Sequence, residues 1–235
     1  MSGFFITGTD TGVGKTFVTC ALAHALQQRG FTVAPMKPVA AGTIEVNGIA
    51  MNEDVALAME ATGHRFPLHA VNPYCFREAV APHIAAQHEK IIVDMTVIRT
   101  AYRELAERAD IVLVEGAGGF LVPLSAEESM ALIPSALQLP VVLVVGMRLG
   151  CINHALLTAE AIRARGLALA GWIANSISPD TMNAYAENLS TLRRLLGAPL
   201  IGELPNISDY RAGGTLAAAT RAAAIHLNTE LLIQK

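Results

Sequence analysis

A glycine-rich loop between an apolar run and a helix-like segment constrains this chain most. Residues 8–16 are GTDTGVGKT and follow the run FFIT. Such a loop points backbone N–H groups and a helix N-terminus at an anion. Its lysine binds the phosphates and its hydroxyl binds Mg2+. Five residues separate Gly8 from Gly14 where the consensus has four, so the loop is a longer variant. The sequence therefore predicts nucleoside triphosphate binding, with Lys15 on the phosphates and Thr16 on the metal.

Short apolar runs alternate with helix-length segments along the chain. The runs are apolar on both faces, which is typical of parallel strands covered by helices on both sides. The alternation predicts an α/β fold in one domain over residues 1–235, with a doubly wound, mainly parallel sheet like that of P-loop nucleotide hydrolases. Residues 67–90 are expected to be an irregular insertion over one sheet edge. We predict strands at 4–7, 32–36, 111–115, 141–146, 169–174 and, more weakly, 200–202, and helices at 15–29, 54–61, 96–108, 153–165 and 182–196.

Composition excludes several classes of protein. Charged residues make up 16% of the chain and the net charge is −3, so no wide basic surface is expected for nucleic acid. The apolar stretch 129–147 contains Pro134 and Pro140, which favours a helix, a turn and a strand over a membrane span. The N-terminus lacks the basic region of a signal peptide, and three cysteines without CxxC spacing indicate a reducing compartment. We expect a cytoplasmic protein with neither nucleic acid nor membrane as a partner.

Charged residues follow two further predicted strands, where ligands bind in open α/β sheets. Lys37 comes after the second strand, and Glu115 ends the middle strand before the glycine-rich stretch 116–119. A second ammonium group there can stabilise negative charge on the phosphoryl donor or acceptor, although a surface lysine is the alternative. A buried carboxylate has to be paired or bound to metal. Thr16, Asp54 and Glu115 form a plausible Mg2+ set, although Asp54 could simply stabilise a helix N-terminus.

Three later segments give weaker indications. The glycine-containing loop 146–154 opens a helix, and its backbone N–H groups could hold an anion such as a substrate carboxylate. Asn175 and Ser176 close a strand, where an amide can pair with a purine edge, and residues 204–206 could wall the base. His83 is more often structural than a base, and neither a zinc motif nor a nucleophile elbow is present. Cations, a metal site and backbone dipoles indicate phosphoryl transfer.

The motifs together resemble one family. They occur in order over residues 3–206: GTDT and VGKT at 8–16, KPVA at 37–40, Asn52 with Asp54, VNPY at 71–74, VEGAGG at 114–119, LPV at 139–141, GCINHA at 150–155, GWIAN at 171–175 and GELP at 202–205. In these motifs the chain resembles the dethiobiotin synthetase family. The resemblance implies Mg-ATP-dependent ring closure in biotin biosynthesis, from CO2 and 7,8-diaminopelargonic acid through a carbamate and a carbamic-phosphoric anhydride. It also implies a homodimer with active sites at the subunit interface.

The same resemblance assigns roles to individual residues. Lys37 would hold the carbamate, Lys15 would bind phosphates and carbamate, and Thr11 would join them as a catalytic residue. Ala41 stands where many members have a substrate-contacting serine, Gly12 stands where Glu is common, and Asn188 falls near a tyrosine that binds the substrate tail in some members, with Tyr185 as a possible substitute. The implied ATP contacts are Gly12, Val13, Gly14, Lys15, Thr16, Phe17, Asp54, Glu115, Gly116, Ala117, Gly118, Asn175, Ser176, Leu204, Pro205 and Asn206. The implied substrate contacts are Lys37, Ala41, Gly118 and, from the other subunit, Gly150, Cys151, Ile152 and Asn153.

Two other classes of function stay open on the sequence. A regulatory ATPase of the partition and septum-site kind usually carries an extra lysine early in the phosphate loop, where this chain has Thr9, Asp10 and Thr11. A small-molecule kinase would use a similar loop to phosphorylate a hydroxyl. An amidotransferase-type synthetase should need a further glutaminase domain, for which 235 residues leave little room.

Overall fold

A six-stranded, wholly parallel sheet forms the centre of the computed structural model, with its strands in the spatial order 200–204, 169–175, 141–146, 2–8, 111–119 and 33–36. The structure describes residues 2–46, 48–180, 182–206, 208 and 215–233. Its strands are β1 Ser2–Gly8, β2 Val33–Met36, β3 Val39–Ala41, β4 Ile44–Val46, β5 Ile49–Met51, β6 Tyr74–Phe76, β7 Ile111–Gly119, β8 Val141–Gly146, β9 Leu169–Asn175 and β10 Leu200–Leu204.

Helices lie between these strands and after the last of them. The helix α1 follows β1 directly after the glycine-rich loop, and α7 follows β8 in the same way. Two short 3-10 turns, Ala224–His226 and Thr229–Leu231, come after the final helix. The helices are α1 Lys15–Gln28, α2 Glu53–Ala61, α3 Leu68–Val71, α4 Pro82–Glu89, α5 Met95–Ala106, α6 Leu132–Leu137, α7 Cys151–Ala164, α8 Tyr185–Leu195 and α9 Leu216–Ala223.

The central strands are mainly apolar because helices cover both faces of the sheet. Phe4 and Ile6 belong to one core cluster, which includes the inner side of α1 and α9. Phe5, between them, belongs to the cluster on the other face together with Ile98 and Leu105 of α5. Successive strand residues point to opposite faces, so Phe4 and Ile6 lie on one covered face of β1 and Phe5 on the other. The double cover explains the continuous apolar runs of the sequence.

The predicted α/β fold with a mainly parallel sheet is confirmed, and most of the predicted elements begin and end within about three residues of the observed ones. β7 extends beyond the predicted end at residue 115 because its glycine-rich end stays beside β1, where Gly119 pairs with Gly8. The expectation of an irregular segment over 67–90 was wrong in part. That segment contains α3, β6 and α4, and β6 pairs in parallel with β3.

Two further features bear on the sequence predictions. No helix in the described ranges is long and apolar enough to cross a membrane. All three cysteines are free thiols: Cys20 and Cys151 are buried and Cys75 is half-buried. The antiparallel pair β4 and β5 and the helix α9 were not anticipated from the sequence.

Candidate active site

The phosphate loop lies at the carboxyl end of β1, where the chain turns into α1. Gly14 is the N-cap of α1 in the left-handed region, with φ of 84°, and no side chain caps the helix. Gly12 also has positive φ, at 74°. A helix start without a side-chain cap presents N–H groups and the positive end of the helix dipole to a ligand. This local geometry suits the phosphates of a nucleotide.

Four side chains from four parts of the chain form a charged cluster beside this loop. Lys37 Nζ donates to Asp54 Oδ2 at 2.6 Å and to Glu115 Oε1 at 2.7 Å. The hydroxyl of Thr16 donates to the same Glu115 oxygen at 2.8 Å. Lys37 and Glu115 are buried, whereas 43% of the Asp54 side chain is exposed. The sheet brings these residues together because β2 and β7 are neighbours and end at the same edge.

Burial and neighbouring charges act in opposite directions on the two lysines. Burial alone would lower the pKa of Lys37, but the charges of Glu115 and Asp54 outweigh it and raise that pKa above its usual value. Burial lowers the pKa of Lys15, and the nearby Lys37 adds to this effect while Glu115 opposes it. Burial also works against the charge of Asp54, but Lys37 holds the pKa of that carboxyl below its usual value. The cluster thus keeps Lys37 and Asp54 charged in a largely dehydrated place.

A cavity of about 670 Å³ opens in front of the cluster, which is within the usual size of small-molecule sites. It brings together most of the residues predicted for phosphate, metal and carbamate. Residues 79–82, which end at the first residue of α4, form the wall that sequence reasoning missed, together with Asn52 and Val122. The lining consists of Thr11, Gly12, Gly14, Lys15, Thr16, Lys37, Ala41, Asn52, Asp54, Ala79, Val80, Ala81, Pro82, Glu115, Ala117, Gly118 and Val122.

Two asparagines outside the predicted set hold the cluster in place. Asn52 caps α2 by accepting the N–H of Asp54 at 3.1 Å, and it donates to the carbonyl of Gly42 at 2.8 Å. Asn72 donates to the carbonyl of Lys37 at 2.6 Å. Both asparagines lie within motifs that carried the family resemblance, and the Asn-x-Asp spacing at a helix start is itself a capping pattern. That pattern could have identified the role of Asn52 from the sequence.

A smaller pocket of about 140 Å³ adjoins the phosphate loop on the β9 side. The amide of Asn175 donates from Nδ2 to the carbonyl of Val13 at 2.9 Å. Its Oδ1 is buried and has no partner in the described part of the chain. A buried acceptor without a donor is costly, so this oxygen suits a ligand N–H group such as that of a base. The pocket is lined by Gly12, Gly14, Phe17, Asn175, Ser176, Ile177 and Asn206.

Other predicted site residues lie away from these two pockets. Leu204 belongs to the core cluster, and neither it nor Pro205 lines either pocket. Gly116 lies within β7 and is packed against β1, where a Cβ would lie 2.8 Å from Phe5 Cζ. Residues 150–153 at the start of α7 line neither pocket; Gly150 and Asn153 are exposed, Ile152 is half-buried and Cys151 is buried.

Comparison with known proteins decides the family. A family model described as an AAA domain matches residues 2–212. An ATP-dependent dethiobiotin synthetase of Aromatoleum aromaticum is 52% identical over 205 residues, which cover 87% of this chain and 91% of that protein. The enzyme of the same name from Nitrosospira multiformis is 55% identical over 210 residues, 89% of this chain and 91% of that protein. The chain belongs to the dethiobiotin synthetase family.

Solved structures show how widely the fold of this family is shared. The MinD cell division protein of Aquifex aeolicus has a TM-score of 0.58 at 16% identity, covering 100% of this chain and 98% of that one. The cell division ATPase MinD of Pyrococcus furiosus has a TM-score of 0.56 at 19% identity, covering 96% and 98%. At such low identity the likeness shows the α/β P-loop fold alone.

Proposed function

We propose that this chain is an ATP-dependent dethiobiotin synthetase. It converts CO2, 7,8-diaminopelargonic acid and ATP into dethiobiotin, ADP and phosphate. Family membership supports the reaction, and one observation supports its location in the chain. Lys37 lies between Asp54 and Glu115 in the cavity that Lys15 and Thr16 also line. A phosphate loop needs one lysine for the phosphates, here Lys15, so Lys37 is available to bind a second anion such as the carbamate.

The nucleotide fits the loop and the smaller pocket. Lys15 and the N-terminal end of α1 would bind the phosphates through positive charge and N–H groups. The unpaired Oδ1 of Asn175 would accept a hydrogen bond from the amino group of the base. Asn206, which donates to the carbonyl of Ser176 at 3.1 Å, would hold the outer wall of that pocket.

A magnesium ion also fits the residues present. Thr16, Asp54 and Glu115 offer a hydroxyl and two carboxylates, which are the hard oxygen ligands that Mg2+ prefers alongside phosphate oxygens. The hydroxyl of Thr16 and Glu115 Oε1 already lie 2.8 Å apart. When bound, the ion would neutralise charge on the phosphate oxygens.

The two lysines would act on the groups that carry negative charge during ring closure. One amine of the substrate adds to CO2, forming an N–C bond and releasing a proton to give a carbamate. A carbamate oxygen then attacks the γ-phosphorus of ATP, and ADP leaves. The second amine attacks the carbamoyl carbon of this anhydride, phosphate leaves, and the amine releases a proton to give the neutral ureido ring. Lys37 and Lys15 would stabilise the carbamate and the transferring phosphoryl group, because fixed charges in a buried site need no reorganisation.

A homodimer would complete the site. The segment 150–153 consists of the N-cap of α7, Gly150, which has φ of 93° and no side-chain cap, and the first three residues of that helix. It does not line the cavity of its own protomer, and the adjacent Leu149 is 94% exposed. We propose that this loop binds the substrate carboxylate in the neighbouring subunit. We also propose that the enzyme works in the cytoplasm, with no nucleic acid or membrane as partner.

The decisive test measures phosphate release and dethiobiotin formation together. Mg-ATP is supplied with bicarbonate, with diaminopelargonic acid, with both or with neither. We expect phosphate only when both are present, in a one-to-one ratio with dethiobiotin, and loss of both products in Lys37→Gln. ATP turnover that ignores both substrates and the substitution would contradict the proposal and favour a regulatory ATPase. A phosphorylated substrate formed without bicarbonate would indicate a kinase.

A further inference from the structure

An ion pair joins the phosphate loop to the loop that opens α7. Arg148 donates from Nη2 to Asp10 Oδ2, across 138 positions of the chain. Each side chain is a little under half exposed. The other carboxylate oxygen of Asp10 accepts the N–H of Thr11 at 2.7 Å. The carboxylate of Asp10 is therefore held from both sides, by its own loop and by Arg148.

The backbone of Asp10 extends this contact to the phosphate-binding lysine. Lys15 Nζ donates to the carbonyl of Asp10 at 3.2 Å. Asp10 therefore connects the two cations: its side chain binds Arg148 and its backbone carbonyl binds Lys15. A change in the position of Asp10 would move the acceptor of Lys15 and the start of the loop that carries Thr11.

The backbone of Arg148 shapes the other loop. Its carbonyl accepts the N–H of Cys151 at 3.0 Å and so closes the turn that leads into α7. Gly150 in that turn has φ of 93°, a conformation that favours glycine. Arg148 therefore contacts the segment 150–153 through its backbone carbonyl and the phosphate loop through its side chain.

We propose that Arg148 is a positioning residue that couples nucleotide binding to substrate carboxylate binding. This inference rests on the proposed function, in which the loop 150–153 binds the carboxylate. A nucleotide that orders the phosphate loop also fixes Asp10 and Arg148, so the substrate carboxylate meets a segment 150–153 that is already ordered. The same holds in the reverse direction, when the carboxylate binds first. Such coupling is reciprocal: each ligand tightens the other by the same factor. In a dimer the pair would link the nucleotide site of one subunit to the carboxylate site of the next.

The role of the pair is in coupling rather than in fold stability. Exposed ion pairs contribute little to the free energy of unfolding. Arg108 and Glu104 form such a pair on the surface at 3.2 Å, away from both pockets. Arg108→Gln is therefore a matched control, since it removes the same charge from a pair of similar exposure.

The test measures the affinity of the enzyme for Mg-ADP by calorimetry, with and without saturating diaminopelargonic acid. We expect the acid to tighten Mg-ADP by about fivefold or more in the wild type, the lower end of ordinary coupling. Arg148→Gln and Asp10→Asn should each bring this factor close to one, and the double variant should add nothing further. Arg148→Lys should restore part of the factor, and Arg108→Gln should leave it unchanged. The carboxamide analogue of the substrate should show no coupling in any variant.

Two results would overturn the inference. One is that diaminopelargonic acid increases the affinity for Mg-ADP as much in Arg148→Gln and in Asp10→Asn as in the wild type. The other is a wild-type enzyme that forms dethiobiotin yet shows no coupling. A wild type that forms no dethiobiotin at all overturns the proposed function itself, so the two failures are distinguishable. Because both single variants alter exposed groups and are tested separately, misfolding of one does not prevent the test.

Discussion

Lys37 and Thr16 donate to the same carboxylate oxygen, Oε1 of Glu115, at 2.7 and 2.8 Å. One oxygen thus connects the end of β2 with the start of α1. The hydroxyl expected to bind metal and the ammonium expected to bind carbamate are fixed relative to each other through it. The geometry of the proposed phosphate and carbamate sites therefore depends on a single buried side chain of β7.

Removing the ammonium of Lys37 should reduce both activity and stability. Lys37→Gln leaves Glu115 buried with only part of its charge compensated, which costs about 3 kcal/mol of unfolding free energy or more. Loss of a charge that stabilises the transferring group should lower kcat by about a hundredfold or more. Thermal unfolding and dethiobiotin formation measure the two effects. Lys90→Gln, which alters a surface lysine, is the control and should change neither quantity much.

Removing the charge of Glu115 should weaken metal binding specifically. In Glu115→Gln one of the two carboxylates is lost. Even the loss of a residue that only hydrogen-bonds to a metal ligand lowers metal affinity by about tenfold or more. The Mg2+ concentration for half-maximal rate should therefore rise by at least about tenfold. Titration of activity with Mg2+ at fixed ATP measures it. Glu104→Gln on α5 is the control. An unchanged Mg2+ requirement in Glu115→Gln would show that this residue is no ligand.

Gly14 is required for two reasons, its left-handed backbone conformation and its close packing against Asn175. A Cβ there would overlap Asn175 Nδ2, and φ of 84° already disfavours other residues. Gly166 has φ of 69° and nothing within 4 Å of its Cβ position, so Gly166→Ala tests the backbone cost alone, about 1–2 kcal/mol. Gly14→Ala should carry that cost and also displace Asn175, weakening ADP binding by about tenfold or more, as expected for a lost polar contact to the base. Calorimetry with ADP distinguishes the two variants; equal ADP affinities would contradict the role of Asn175.

The sheet could be predicted from sequence because its strands are apolar on both faces and end in recognisable loops. The phosphate loop, Lys37 and Glu115 follow such strands directly, so their meeting at one edge was foreseeable. The pair β3 and β6 was not, since strands of three residues are too short to show a period. Contacts such as Asn175 with Val13, 162 positions apart, depend on the register of the whole sheet. Local patterns carry no information about them.

A buried histidine should make the enzyme less stable in mild acid. His24 lies on the inner side of α1, and its Nε2 has no partner among the described residues. Burial, together with the charge of Arg221 on α9, lowers the pKa of His24 below its usual 6.5. Between that lowered pKa and 6.5 the unfolded chain binds more protons than the native state, so the unfolding free energy falls as the pH falls through this window. The lowered pKa values of Asp10 and Asp54 act only in stronger acid, below their usual 3.8.

Replacing His24 by leucine should therefore flatten the pH dependence. The difference in melting temperature between pH 7.5 and pH 5.5 should shrink in His24→Leu, because the apolar side chain has no proton to bind in either state. His88→Gln, which alters an exposed histidine paired with Glu78, should keep the decline of the wild type. If His24→Leu declines with acid as steeply as the wild type, the burial of this imidazole does not limit stability and another group must bind the proton.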